Sequence, residues 1–143
     1  MAQSTDETSN IPVNPHPSKH PQRILLVEDD DALANVYISR LQAEGFDIRR
    51  VENGEDALAT ALNYKPDLIV LDVMMPKVSG FDVLDILRNT PETANIKIVM
   101  LTALSQPSDQ ERAKALGVDD YLVKSQVVIA DVVETIRHRL TSE

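Results

Sequence analysis

The chain has 143 residues, a net charge of -9 and a sequence pI near 4.7. This length suits one domain with a hydrophobic core, and the acidic balance argues against direct nucleic-acid binding, because no basic stripe is available to contact phosphates. Cysteine is absent, which excludes disulfides and thiolate metal sites, and no apolar run suits a signal peptide or a membrane span. We therefore expect a cytoplasmic protein without membrane insertion.

Residues 1–22 differ in composition from the rest of the chain. They are rich in Ser, Thr, Asn and Pro and contain almost no apolar side chain that could offset the entropy lost on ordering. We predict a disordered tail at 1–22 and a folded domain at 23–143. His16 and His20 lie in this tail without regular ligand spacing, so we assign them no metal site.

Strands and helices are predicted to alternate from Arg23 onward. Short runs rich in Val, Ile and Leu predict strands at 24–27, 68–71, 96–101 and 121–123, and 47–51 is predicted as a further strand. Each is followed by apolar residues at helical spacing, with Gly45 and Gly117 ending the first and fourth helices. The fourth helix, at 108–116, has a thin apolar face. The apolar positions of these helices include Ala113, Ala115 and Leu116 in the fourth, and Val128, Val132, Val133, Ile136 and Leu140 in the fifth.

This alternation predicts an α/β fold, in which a five-stranded parallel sheet is covered by five helices on both faces. With the first strand central, the strand order is 2-1-3-4-5, and the switch point lies between strands one and three. Ligands bind beyond the carboxyl ends of the strands at such a point.

Four of the predicted strands end on polar residues of different kinds. Glu28 and Asp29 follow the first, Asp72 the third, Thr102 the fourth and Lys124 the fifth. Because the carboxyl ends of parallel strands meet at one edge, we expect these five side chains to converge. The carboxylates of Asp29 and Asp72 would repel each other there, so the site requires positive charge.

The residue types at this edge suit phosphoryl transfer. Carboxylates and carbonyl oxygens favour a hard cation such as Mg²⁺, and Lys124 supplies a point charge for a phosphoryl oxygen. Thr102 adds a hydroxyl donor. Asp72 can then act as the nucleophile that accepts the phosphoryl group. Taken singly, these residues could be ordinary strand ends or surface groups, and Asp30 and Asp31 are best interpreted as acids at a helix N-terminus.

Four phrases in this order connect the chain to a known family: ILLVEDDDAL, PDLIVLDVMMPKVSG, IVMLTA and GVDDYLVK. From Arg23 to about Leu140 the chain resembles the receiver domain of two-component response regulators, such as the chemotaxis regulators, which have a flavodoxin-like fold. The resemblance implies that Asp72 accepts a phosphoryl group from a histidine kinase or a phosphotransfer protein, and that a downstream protein target recognises the result.

The same resemblance assigns roles to individual residues. Asp29 and Asp72 would ligate Mg²⁺, Glu28 would act mainly through water, and Met74 would contribute its backbone carbonyl. Lys124 and Thr102 would contact the acyl phosphate, while the small side chain of Ala103 leaves the phosphoryl group room. Thr102 and Tyr121 would form the switch, since phosphorylation draws the hydroxyl inward and makes space for the ring.

Two departures from the family pattern have consequences. Ser125 stands where the family has a proline in a cis peptide, and a cis bond before serine costs several kcal/mol, ~3 by peptide measurements. Met74 and Leu104 stand where polar side chains can orient an attacking water. We therefore predict a phosphoaspartate that decays slowly.

The expected protein is a switch, not an enzyme in the ordinary sense, that assists its own phosphorylation and slow dephosphorylation. We expect the output to be a partner protein or a domain outside this chain. Residues 126–140 show no convincing match to the charged pairs through which some family members dimerise, which favours a stand-alone receiver, either a monomer or a dimer formed on phosphorylation. Two alternatives stay open: a haloacid-dehalogenase-like phosphatase, for which Asp29 and Asp31 supply the Asp-x-Asp motif, and a degenerate receiver that acts as an interaction module.

Overall fold

The computed structural model describes residues 21–141, so most of the predicted tail, residues 1–20, lies outside the described residues. Within that range the chain alternates five strands with five α-helices and adds one 3₁₀ turn. The elements are β1 (Arg23–Val27), α1 (Asp31–Ala43), β2 (Asp47–Val51), α2 (Gly54–Tyr64), β3 (Leu68–Leu71), α3 (Gly80–Arg88), β4 (Lys97–Thr102), α4 (Pro107–Ala115), β5 (Asp120–Val123), the 3₁₀ turn Lys124–Gln126 and α5 (Ile129–Thr141).

The strands form one parallel sheet with the order β2-β1-β3-β4-β5, which confirms the predicted topology. Central strands β1, β3 and β4 are almost fully buried, because helices cover both faces. β2 is an edge strand, and its residues alternate between exposed and half-buried. The switch point lies between β1 and β3, as expected.

Two apolar layers sandwich the sheet. On one face α2, α3 and α4 pack on alternate strand residues such as Leu25 and Ile69. On the other face α1 and α5 pack on the intervening residues, such as Leu26 and Val70. This alternation follows from the two-residue period of a strand. Because all the strands are parallel, the loops after β1, β3, β4 and β5 lie at a common edge of the sheet.

Several element boundaries differ from the predicted ones by a residue. β4 extends through Thr102, so this residue belongs to the strand itself. Val128 was expected on the apolar stripe of α5, but it precedes the helix and is 65% exposed. Its N–H donates to Asp131 Oδ2 at 3.0 Å, which is the geometry of a helix start. Ala115 was expected on the apolar face of α4 but is exposed, and α4 buries only Ala113 among its described residues.

Arg88, at the end of α3, joins two connections of the fold, α3–β4 and α4–β5. Its guanidinium donates to the carbonyls of Ala94 and Ile96 before β4 and to the carbonyl of Gly117 after α4. It also pairs with the Asp119 carboxylate at 2.9 Å. One side chain therefore fixes the α4–β5 connection against α3.

Candidate functional site

Three carboxylates form a cluster at the carboxyl end of the sheet. Glu28, Asp29 and Asp72 each offer an oxygen, and these oxygens all lie within 4.8 Å of one another. Glu28 and Asp72 are 2% and 4% exposed, whereas Asp29 is open to solvent. Burial raises the pKa of the Glu28 carboxyl above its ordinary value, although a hydrogen bond from Lys124 opposes the shift.

Lys124 supplies the positive charge at this cluster. Its Nζ lies 2.9 Å from Glu28 Oε1 and 2.9 Å from Asp72 Oδ2, so it bridges the two buried acids. Burial alone would lower the pKa of Lys124, but the hydrogen bonds to both carboxylates outweigh it and raise the pKa. The lysine is therefore charged at neutral pH and balances part of the negative charge.

The ligand atoms of this cluster fit a divalent cation. The three carboxylates are hard oxygen ligands, and one of them, Asp29, lines a solvent-open groove. Lys124 alone leaves the cluster with excess negative charge. This donor set suits Mg²⁺. The backbone N–H of Met74 donates to Asp72 Oδ1 at 3.2 Å, which keeps the loop after β3 close to the acid.

Gly80, the first residue of α3, lies directly against the backbone of Asp72. A Cβ at this position would lie 2.2 Å from the carbonyl oxygen of Asp72 and 2.6 Å from the Cα of Val73. Since real Cβ atoms do not approach backbone this closely, the start of α3 can reach Asp72 only with glycine. The sequence analysis missed this role. A glycine eight positions after a candidate nucleophile carries no signal for such a contact by itself.

Thr102 and Tyr121 both form hydrogen bonds with the backbone of Leu104. Thr102 is fully buried, and its Oγ accepts from the Leu104 N–H at 3.4 Å. The Tyr121 hydroxyl donates to the Leu104 carbonyl at 2.8 Å, and its ring packs against the core layer of α2, α3 and α4. Both predicted switch residues therefore contact one peptide segment between β4 and α4.

Arg50 is a second residue that the sequence analysis missed. From β2 it donates through Nε to the Glu28 carbonyl at 2.9 Å and through Nη1 to Asp31 Oδ1 at 2.8 Å. Asp31 is thereby held toward β2 and is not part of the carboxylate cluster, which disfavours the Asp-x-Asp phosphatase alternative. Asp30 caps α1 through the Leu33 N–H, as expected of it.

The lysine is placed without a cis peptide. Residues 21–141 contain no cis bond, and the chain after Lys124 continues as the 3₁₀ turn that includes Ser125.

Among residues 21–141, none of the helices has the length and apolar character required to cross a bilayer.

Comparison with known proteins agrees with this geometry. The response regulator receiver domain family matches residues 24–137. The DNA-binding dual master transcriptional regulator RpaA of Synechocystis is 42% identical over 102 residues, which are 71% of this chain and 42% of that protein. The polar-differentiation response regulator DivK of Brucella anthropi is 31% identical over 120 residues, covering 84% of this chain and 97% of DivK. The chain spans less than half the length of RpaA and of the next curated relatives.

A solved structure shares the fold. The BeF3-activated N-terminal receiver domain of Klebsiella pneumoniae RstA superposes with a TM-score of 0.79 at 26% identity, over 85% of this chain and all of that one. The parallel sheet in the order β2-β1-β3-β4-β5, the acids at its switch point and these relatives agree. The chain therefore belongs to the response regulator receiver domain family and is a phosphoacceptor switch of two-component signalling.

Proposed function

We propose that Asp72 is the residue that accepts the phosphoryl group. The supporting observation is the adjacent positive charge: Lys124 Nζ lies 2.9 Å from Asp72 Oδ2, and a carboxylate oxygen of Asp29 lies within 4.8 Å of one of Asp72. A nearly buried carboxylate with one cation beside it and a second cation site adjacent is suited to attack a phosphorus atom.

The transfer would proceed as a displacement at phosphorus. An Asp72 carboxylate oxygen attacks, and a P–O bond forms while the P–N bond of the donor phosphohistidine breaks. The leaving imidazole nitrogen retains the bonding electron pair and takes up a proton. Lys124 can follow the incoming phosphoryl oxygen because its Nζ already lies beside the attacking carboxylate. The donor is a histidine kinase or a phosphotransfer protein.

Mg²⁺ fits beside Asp72. Asp29 and Asp72 would hold it directly, Glu28 through water, and Met74 through its backbone carbonyl. When bound, the ion neutralises negative charge on the phosphoryl oxygens. Lys124 pairs with Glu28 and Asp72 but not with Asp29, so the metal-free cluster of three carboxylates and one lysine retains negative charge that favours uptake of a cation.

The switch would operate through the backbone of Leu104. A phosphoryl group on Asp72 offers strong acceptor oxygens to the Thr102 hydroxyl, which now accepts from the Leu104 N–H at a long 3.4 Å. Reorienting this hydroxyl changes the segment whose carbonyl binds Tyr121. The resulting surface change would be recognised by a downstream protein, with the receiver either monomeric or dimerised by phosphorylation.

We propose that the phosphorylated state is long-lived. Met74, which is 58% exposed, lines the open groove at the site together with Leu104, and neither side chain can orient a water for attack on phosphorus. Met74→Asn is expected to speed loss of the phosphoryl group by at least about tenfold, since positioned acid–base groups contribute more than that elsewhere. The exposed apolar residue Ile86 provides the control, and Ile86→Asn should leave the decay unchanged. Equal decay of Met74→Asn and the unsubstituted protein would count against this explanation.

Intact-mass spectrometry with a small acyl-phosphate donor tests the acceptor. One phosphoryl group should appear with Mg²⁺ and be absent with EDTA or in Asp72→Asn. Asp109→Asn, a matched change of a partly exposed acid that also lines the groove, should still be labelled. Labelling of Asp72→Asn at the unsubstituted rate would place the acceptor elsewhere.

A further inference from the structure

We propose that Arg50 is a positioning residue that holds the β1–α1 loop so that Asp29 faces the cation. The idea rests on the proposed function, because it concerns the Mg²⁺ site of the phosphoacceptor. It adds a residue from the edge strand β2 to a site otherwise built from the ends of β1, β3, β4 and β5.

Arg50 contacts the loop on both sides of Asp29. Nε donates to the Glu28 carbonyl at 2.9 Å, one residue before it, and Nη1 donates to Asp31 Oδ1 at 2.8 Å, two residues after it. The Arg50 side chain is 17% exposed. The planar guanidinium can hold two acceptors at a fixed separation, which a lysine ammonium on its flexible stem cannot.

Asp29 depends on this support because its own side chain is not held. Within residues 21–141 its exposed carboxylate has no hydrogen bond or ion pair. Its direction is therefore set by the backbone between Glu28 and Asp31. Glu28 is further tied to β2 by its N–H, which donates to the Val51 carbonyl at 3.1 Å. Strand β2 therefore makes two hydrogen bonds to the backbone of Glu28, at the start of the loop, and one to the side chain of Asp31, at its end.

A positioning role and a purely electrostatic role of Arg50 predict opposite effects of its removal on Mg²⁺ affinity. A guanidinium near a cation site repels Mg²⁺, so removing it should tighten binding if only its charge matters. Removing it should weaken binding if its hydrogen bonds orient Asp29. Nη2 is buried without a partner among the described residues, a cost in desolvation that a purely electrostatic role does not explain.

The test is isothermal titration calorimetry of the full chain with MgCl₂. Arg50→Met and Arg50→Lys should both bind Mg²⁺ about tenfold more weakly than the unsubstituted protein, as outer residues that orient metal ligands do elsewhere. Arg49→Met removes the same charge from the exposed neighbouring position and should bind equally or more tightly. Arg50→Lys keeps the charge and decides the question if Arg50→Met does not fold.

A kinetic readout separates positioning from general damage. With the acyl-phosphate donor, the Mg²⁺ concentration for half-maximal labelling of Arg50→Lys should rise, while the maximal rate stays within about twofold of the original. Unchanged or tighter Mg²⁺ binding by Arg50→Lys would overturn the proposal. If the unsubstituted protein itself binds no Mg²⁺, the proposed function fails instead, so the two failures are distinct.

Discussion

Removing the charge of Lys124 should destabilise the protein most when Mg²⁺ is absent. In Lys124→Met, the two buried acids that now share Nζ at 2.9 Å each would face one another and Asp29 without a counter-charge. Taking one partner from a buried ion pair costs about 3–5 kcal/mol. The lysine side chain is 23% exposed, so we expect about 3 kcal/mol, the lower end of that range.

Urea unfolding in EDTA at pH 7.5 measures this cost. The pKa of Lys124 is raised in the folded protein, so its stabilising contribution is fully present below the ordinary lysine pKa and is lost only as pH rises through the folded value. With an m-value of about 2 kcal/mol/M, a loss of about 3 kcal/mol lowers the urea midpoint by about 1.5 M. The exposed Lys114→Met is the control and should shift it little.

Mg²⁺ should restore much of the lost stability. Ligand at about 100 times its dissociation constant adds about 2.7 kcal/mol, and at the same Mg²⁺ concentration Lys124→Met should gain more than the unsubstituted protein, because it binds the ion more tightly when no lysine competes for the acids. Combining Lys124→Met with Glu28→Gln should also recover stability in EDTA. The reasoning is refuted if Lys124→Met unfolds at the original midpoint in EDTA, or if Mg²⁺ stabilises both proteins equally.

Three further predictions follow from other parts of the fold. Gly80→Ala should cost about 1–3 kcal/mol, as overpacking does, and slow labelling, because its Cβ would collide with Asp72; an unchanged urea midpoint would contradict this. Burial raises the pKa of Tyr64 to about 12, so the unfolded chain ionises first and stability should fall as pH rises above the ordinary tyrosine pKa. Unfolding at pH 9 and 11 should show a larger loss in the unsubstituted protein than in Tyr64→Phe, which lacks the ionising hydroxyl. Amides of residues 108–115 should exchange faster than those of the other described helices, because α4 buries one side chain; equal protection would refute this.

The sheet was predictable because its central strands carry an unambiguous pattern. β3 was predicted at its observed bounds because it is a continuous apolar run, and the edge strand β2 was predicted at its bounds although three of its five residues are charged. The last helix was less clear. Val128 matches the helical period of α5, yet the chain is still in its capping turn there, and hydrophobic spacing does not distinguish a capping turn from a first helical turn.

The candidate site was predictable for the same topological reason. Residues that end parallel strands must share an edge, so Asp72 and Lys124 could be brought together from sequence although they are far apart in the chain. Arg50 could not be found this way. It lies inside an edge strand beside another arginine, where arginine ordinarily faces solvent, and its reach to Glu28 depends on the registration of β2 with β1.

The anchoring of Arg88 determines how α4 can move. The guanidinium holds the carbonyl of Gly117 and the carboxylate of Asp119, immediately beyond the C-terminal end of the helix. At the other end, Gln106 makes no side-chain capping hydrogen bond, and the adjoining loop carries Leu104. We therefore expect a rearrangement of α4 to pivot about its C-terminal end rather than to slide the whole helix. The largest displacement should then fall at the helix start, beside the loop that Thr102 and Tyr121 both contact.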